Sequence, residues 1–270
     1  MKVVIFCGGQ GLRLRDYSEN TPKPMVPVGY RPIVWHLMKY YAHYGHNEFI
    51  LCLGYRADAI KEYFLHYNEC TSNDFVLSDG GRDLKLINSD ISNWKITFVD
   101  TGVDAKIGER LMAIRPYLGD DEMFMANYAD CLTDAPLPTM IESFRNSNNL
   151  ASFLTVRPGH SWHAVHVDPA GTVTDLVDAD QTDLWINGGY LMFKREALDY
   201  FEPGDDIVPT VFRKLAAERK LMSYRHHGFW ACMDTFKEKM TLDDLDAKGK
   251  APWQVWKKPV RPTLHTKRTA

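Results

Sequence analysis

Residues 2–26 read KVVIFCGGQGLRLRDYSENTPKPMV, and the spacing of glycines and cations in that stretch suits one chemistry, the holding of a polyphosphate. Gly8, Gly9 and Gly11 lack side chains, so their main-chain N–H groups can approach an anion closely. Arg13 follows within reach, and Lys23 lies between Pro22 and Pro24, which restrict the backbone on both sides of a cation. The dinucleotide-binding fingerprint wants a third glycine where this chain has Leu14, and the P-loop wants Gly-Lys-Ser/Thr where it has Gly11-Leu12-Arg13. The alternative is a plain strand-to-loop turn whose glycines serve geometry, with Arg13 and Lys23 on a solvated face.

Other groups capable of chemistry are scattered. Asp130 closes the apolar segment Glu122–Ala126, and a carboxylate at the C-terminal edge of such a strand faces the ligand crevice of an α/β sheet. Asp134 nearby reads as a loop or cap residue. His160, His163 and His166 recur at intervals that a helix would place together around a metal ion. Pro158 and Gly159 argue against a helix there, and in an extended chain the three imidazoles would not share a face.

The elements that must position these groups follow from periodicity. Val3–Phe6, Phe49–Leu53, Ile96–Val99, Glu122–Ala126 and Ala151–Val156 are short apolar runs expected as buried strands. Between them, Pro32–Tyr41 reads as a helix with Ile33, Leu37, Tyr40 and Tyr41 on its core face. A second helix carries Ile60, Tyr63, Phe64 and Tyr67, and others are expected over about 108–117 and 138–147. Alternation of strand and helix argues for a mostly parallel sheet flanked by helices. Residues 70–94 are polar and aperiodic, an insertion expected to leave the sheet, as a hairpin over the site or against a neighbouring subunit.

The composite GGQGLRL followed by TPKPMVPV closely resembles the signature of the sugar-1-phosphate nucleotidyltransferases. VDTG at 100–102 and its preceding valine, Arg110-Leu111, INGGY at 186–190 and GFWACMDT at 228–235 extend the resemblance to the glucose-1-phosphate cytidylyltransferase branch, from residue 1 to about Trp253. It implies a single Rossmann-like α/β nucleotidyltransferase domain over 1–255, with the insertion at 70–94 and a tail at 256–270. It implies a nucleotide side made by Phe6, Gly8, Gly9, Gln10, Gly11, Leu12, Arg13, Lys23, Arg110 and Ala129, with Arg13 and Lys23 catalytic. It further implies an acceptor side at His163, Asn187 and Gly188, and Mg²⁺ held by Asp130 and Asp234. For Arg110 a simple exposed helix arginine is the competing reading.

The expected reaction transfers a nucleotidyl group from an NTP, CTP by the branch, to glucose 1-phosphate. The attacking phosphate is already ionised, so no catalytic His or Cys is expected. One departure stands out. Where the family carries an E-K-P lysine for the acceptor phosphate, this chain reads Thr174-Asp175-Leu176-Val177-Asp178-Ala179-Asp180. Lys194, Arg157 and a protonated His163 are the candidate replacements; otherwise the acceptor differs, or the chain is a non-catalytic nucleotide-binding relative.

Composition narrows the remaining classes. The chain has 270 residues, 45% apolar and 25% charged, with net charge −3, which suits a globular core and gives no basic surplus for nucleic acid. No apolar run approaches the roughly 18 residues that span a membrane, and the N-terminus enters a strand at once, so a cytoplasmic protein is expected. The five cysteines show no CxxC spacing and are expected as reduced core residues. A homo-oligomer is expected from the resemblance alone.

Overall fold

The computed structural model describes residues 1–9, 21–158 and 163–257. Strand β1 (Val3–Phe6) is followed by a small ribbon, β2 (Pro27–Val28) and β3 (Arg31–Pro32), then helix α1 (Ile33–His43), β4 (Glu48–Leu53) and α2 (Ala57–Leu65). Next come β5 (Phe75–Ser78) and β6 (Asp83–Leu86), β7 (Lys95–Asp100), α3 (Ile107–Ile114), β8 (Met123–Tyr128), β9 (Cys131–Thr133), α4 (Leu137–Arg145) and β10 (Ala151–Val156). The remainder holds β11 (His163–Val167), β12 (Val173–Asp178), β13 (Ile186–Lys194), α5 (Arg213–Ala217), β14 (Leu221–Arg225), β15 (Trp230–Cys232) and α6 (Phe236–Ala247).

Seven strands form one sheet in the order β14-β10-β13-β8-β1-β4-β7. Pairings are parallel between β1 and both β4 and β8, between β4 and β7 and between β10 and β14; β13 runs against β8 and β10. β1 is central, and all four of its residues are buried. Its side chains alternate between two cores, Val3 and Ile5 packing with α1 and Val4 and Phe6 with α3, as a strand covered on both faces requires. The α/β class and mostly parallel sheet are therefore as the sequence predicted.

Several local expectations need correction. Helix α1 is buried at Val34, Trp35, His36 and Met38 as well as on the predicted face, because the C-terminal segment around Trp253 and Trp256 packs on its other side. Tyr67 lies beyond the end of α2 and donates its hydroxyl to Asp90. The insertion does form a hairpin, β5 with β6, yet none of its residues lines the cavity at the site. It is fastened at its base by Arg31, which donates to Ser72 and to the Asn68 carbonyl.

Candidate active site

β1 delivers the glycine turn to the carboxyl edge of the sheet. Cys7 N–H still bonds the Cys52 carbonyl (2.9 Å), and Gly8 accepts from Tyr55 N–H. Gly8 must lack a side chain, since a Cβ there would collide with the Arg110 guanidinium. Gln10, Gly11, Leu12 and Arg13 lie outside the described residues. Beside the turn, Lys23-Pro24-Met25 form a single 3₁₀ turn after the extended Pro22, so the two prolines hold the lysine's backbone as the sequence suggested.

Lys23 Nζ lies 2.6 Å from Asp130 Oδ2 and 2.5 Å from Asp234 Oδ1. Burial by itself favours the neutral amine, but the Asp130 and Asp234 carboxylates outweigh it and hold Lys23 charged, its pKa raised. Asp130 sits between β8 and β9; Asp234 follows β15 and precedes α6. What joins them is a short antiparallel ladder, with Cys131 opposite Cys232 and Met233 N–H on the Asp130 carbonyl (2.8 Å). The Asp234 end is fixed by a capping box: Thr235 caps α6, and Glu238 accepts from the N–H groups of Asp234 and Thr235, each at 2.8 Å. Asp134 works as a clasp rather than a ligand, accepting from Phe229 N–H (2.8 Å) and pairing with His226 (2.9 Å).

These groups open on a cavity of about 490 Å³. Phe6, Gly8, Gly9, Lys23, Arg110, Ala129, Asp130 and Asp234 all line it. Tyr128, Lys106 and Asp206 line it too and were missed by sequence reasoning. Of these, only Tyr128 carried a signal, its place at a strand's carboxyl end. Two converging carboxylates offer the hard oxygen donors that Mg²⁺ prefers. The Lys23 ammonium already placed between them shows that the spot calls for positive charge, so the donor set fits the ion.

Arg110 is not the exposed helix arginine of the competing reading. It is 3% exposed and donates to the Leu53, Gly8 and Val103 carbonyls and to Thr101 Oγ1. Its guanidinium thus ties together the glycine turn, the end of β4 and the VDTG loop, while the residue also lines the cavity.

The acceptor-side expectations fare differently. Asn187 Oδ1 accepts from Gly189 N–H and Gly188 O accepts from Trp230 Nε1–H; neither residue lines the cavity, though β13 runs beside β8. His163 lies in the exposed β11–β12 hairpin, 3.2 Å from Asp178, so its imidazole faces that carboxylate and not the cavity. His166 is three residues along the same extended strand, on the opposite face, and His160 is outside the described residues. Lys194 is at the far end of β13, donating to the Ser147 carbonyl, which removes it as the replacement cation. Arg157 remains, 5.4 Å from the Trp185 ring, and Arg225 joins it at 5.2 Å.

The cysteines at the ladder are unpaired thiols, as are Cys7, Cys52 and Cys70. Cys131 is held protonated, its pKa pushed up by its hydrogen bond with Cys232 and by burial beside Asp130.

The chain is similar to known proteins over most of its length. A family model described as Nucleotidyl transferase matches residues 2–236. Glucose-1-phosphate cytidylyltransferase from Salmonella typhi is 34% identical over 258 residues, 95% of this chain and 100% of that one. Mannose-1-phosphate guanylyltransferase catalytic subunit beta from Dictyostelium discoideum is 24% identical, over 91% of this chain and 64% of that one. The crystal structure of HddC from Yersinia pseudotuberculosis shares the fold, with a TM-score of 0.62 and 19% identity over 90% of this chain and 98% of that one.

Proposed function

Because the chain belongs to the nucleotidyl transferase family, we propose that it transfers a cytidylyl group from CTP to glucose 1-phosphate, with Mg²⁺ at Asp130 and Asp234. The observation that supports this reading best is the meeting of Lys23 with two distant carboxylates at the mouth of the glycine turn. The extended match to cytidylyltransferases along 95% of the chain supports the choice of base and sugar.

In this reaction an oxygen of the acceptor phosphate attacks the α-phosphorus in line, a new O–P bond forms, and the bond to the β-phosphate oxygen breaks as pyrophosphate leaves. The backbone of Gly8 and Gly9, held by Arg110, receives the triphosphate. Lys23 exchanges its two carboxylates for the α-phosphate, where negative charge develops, and stabilises it there. Asp130 and Asp234 would hold the metal. When bound, Mg²⁺ neutralises phosphate charge and helps to orient the two substrates. Arg157 and Arg225, gathered on Trp185, supply the acceptor phosphate with the charge that the missing E-K-P lysine would have given. No helix among the described residues is long and apolar enough to cross a membrane; a cytoplasmic homo-oligomer is the reading that the sequence resemblance supports.

The test is pyrophosphate release from a panel of NTPs and sugar 1-phosphates. CTP with glucose 1-phosphate is expected to give the highest kcat/KM, and Lys23→Ala, Asp130→Asn and Asp234→Asn are each expected to lower kcat by about 10²–10³, the usual cost of removing a placed charge. Near-normal rates in all three folded variants would falsify the assignment of the site, and a clear preference for another pair would overturn the choice of substrates.

A further inference from the structure

Beside the carboxylates lie two thiols that nucleotidyl transfer does not use, and they share Asp130 with that reaction. Cys131 and Cys232 are direct cross-strand partners in the β9–β15 ladder. The next hydrogen bond runs from Met233 N–H to the Asp130 carbonyl, which makes the cysteines a non-hydrogen-bonded pair. Such pairs bring Cα atoms to about 4.5 Å and set both side chains on one face. Asp130 faces two ways: Oδ2 meets Lys23, while Oδ1 lies 3.2 Å from Cys131 Sγ. A carboxylate oxygen and the two sulfurs all lie within 4.8 Å of one another.

We propose that Asp130, Cys131 and Cys232 form a binding site for a thiophilic divalent cation, of the Zn²⁺ or Cd²⁺ class. Two sulfurs and one oxygen are the donors a borderline or soft ion selects and Mg²⁺ avoids. Tetrahedral Zn²⁺, with Zn–S of about 2.3 Å, needs ligand atoms roughly 3.6–3.8 Å apart. The three donors reach that spacing through small side-chain rotations. Cys131 is buried but Cys232 and Asp130 are half-buried, so the ion enters from their side and solvent completes the fourth position. Each thiol releases its proton to solvent as its metal–sulfur bond forms. The ion takes Asp130 as a ligand and so withdraws it from the reaction; only that last consequence rests on the proposed function, while binding itself does not.

The experiment titrates the thiol-reduced full chain with Cd²⁺, following the ultraviolet sulfur-to-metal charge-transfer band. Saturation at one equivalent is expected in the wild type, with the band about halved and affinity lowered at least about tenfold in Cys131→Ser or Cys232→Ser. The double variant is expected to show no band. A band that persists undiminished there arises from Cys7, Cys52 or Cys70 and overturns the proposal. A second readout needs no substitution. One equivalent of Zn²⁺ is expected to slow alkylation of Cys232 in the wild-type protein while Cys70, the other half-buried thiol, reacts at its usual rate. Unchanged alkylation of Cys232, or equal slowing of both, also overturns it. Failure of these binding tests leaves the pyrophosphate assay untouched, so the two readings fail separately.

Discussion

At the scale of single residues, Arg110 decides how the glycine turn is held. Its four hydrogen bonds join three segments that no local pattern connects, and Gly8 is glycine because the guanidinium occupies the space of its Cβ. Arg110→Met is expected to cost about 1–3 kcal/mol, since it removes the charge-assisted hydrogen bonds that tie the three segments while the Gly8 and Leu53 carbonyls keep the Tyr55 and Thr101 N–H groups as donors; urea unfolding measures it. Gly8→Ala is expected to lower both stability and nucleotide affinity, whereas Gly9→Ala, with open space around its Cβ, is expected to leave stability within about 1 kcal/mol of wild type. The Trp185 cluster gives a different signature. Arg157→Ala and Arg225→Ala are each expected to raise the KM for the sugar phosphate by about tenfold, one charge-assisted hydrogen bond, with the KM for the nucleotide unchanged. Equal effects on both substrates would show that these arginines act on the fold instead.

At the scale of elements, the pairing of β9 with β15 is what assembles the site. Three residues on each strand bring together carboxylates from the middle and the far end of the chain. The ladder is too short to be held by its own hydrogen bonds, and side chains reinforce it. Thr133 donates to the Phe229 carbonyl (2.7 Å), Tyr190 donates to the Cys131 carbonyl (3.0 Å), and Asp134 receives Phe229 N–H and faces His226. Asp134→Ala is therefore expected to destabilise by about 1–3 kcal/mol, the cost of leaving a buried donor unpaired. It is also expected to reduce turnover by loosening β15, although Asp134 touches no substrate; thermal unfolding and pyrophosphate release check the two effects. Sequence reasoning placed Asp130 at a strand's end and took Asp234, with the pairing, from the family resemblance; the strands beside them are three residues long and carry too little periodicity to announce a pair.

At the scale of the whole molecule, the C-terminal segment closes the core over α1 and introduces a pH dependence. Trp253 Nε1–H donates to His36 Nδ1 (3.3 Å), leaving His36 Nε2–H for the Val28 carbonyl (3.0 Å). Burial pushes the His36 imidazole down to about 4, below the roughly 6.5 of an unfolded histidine. The folded value is the lower one, so this contribution to stability is complete above about pH 6.5 and is lost as pH falls toward 4, by at most about 3 kcal/mol. His46 is lowered by burial in the same direction, so the difference in Tm between wild type and His36→Gln isolates His36; it is expected to narrow as pH falls through that window. Much of the architecture could be read in the sequence. Apolar runs such as Val3–Phe6 and Ala151–Val156 are strands because four to six consecutive, almost wholly buried residues leave few alternatives, and the glycine turn with its proline-flanked lysine is a local pattern that needs no distant partner. The amino-acid order by itself determined the α/β class, five of the seven main-sheet strands and the residue types offered to a polyphosphate. Only the tertiary structure decided that Lys23 stands between Asp130 and Asp234, that Arg110 braces the walls, and that His163 and Lys194 turn elsewhere. Those outcomes depend on contacts between segments far apart in the chain, and hydrophobic periodicity records which face of an element is buried, not what it is buried against.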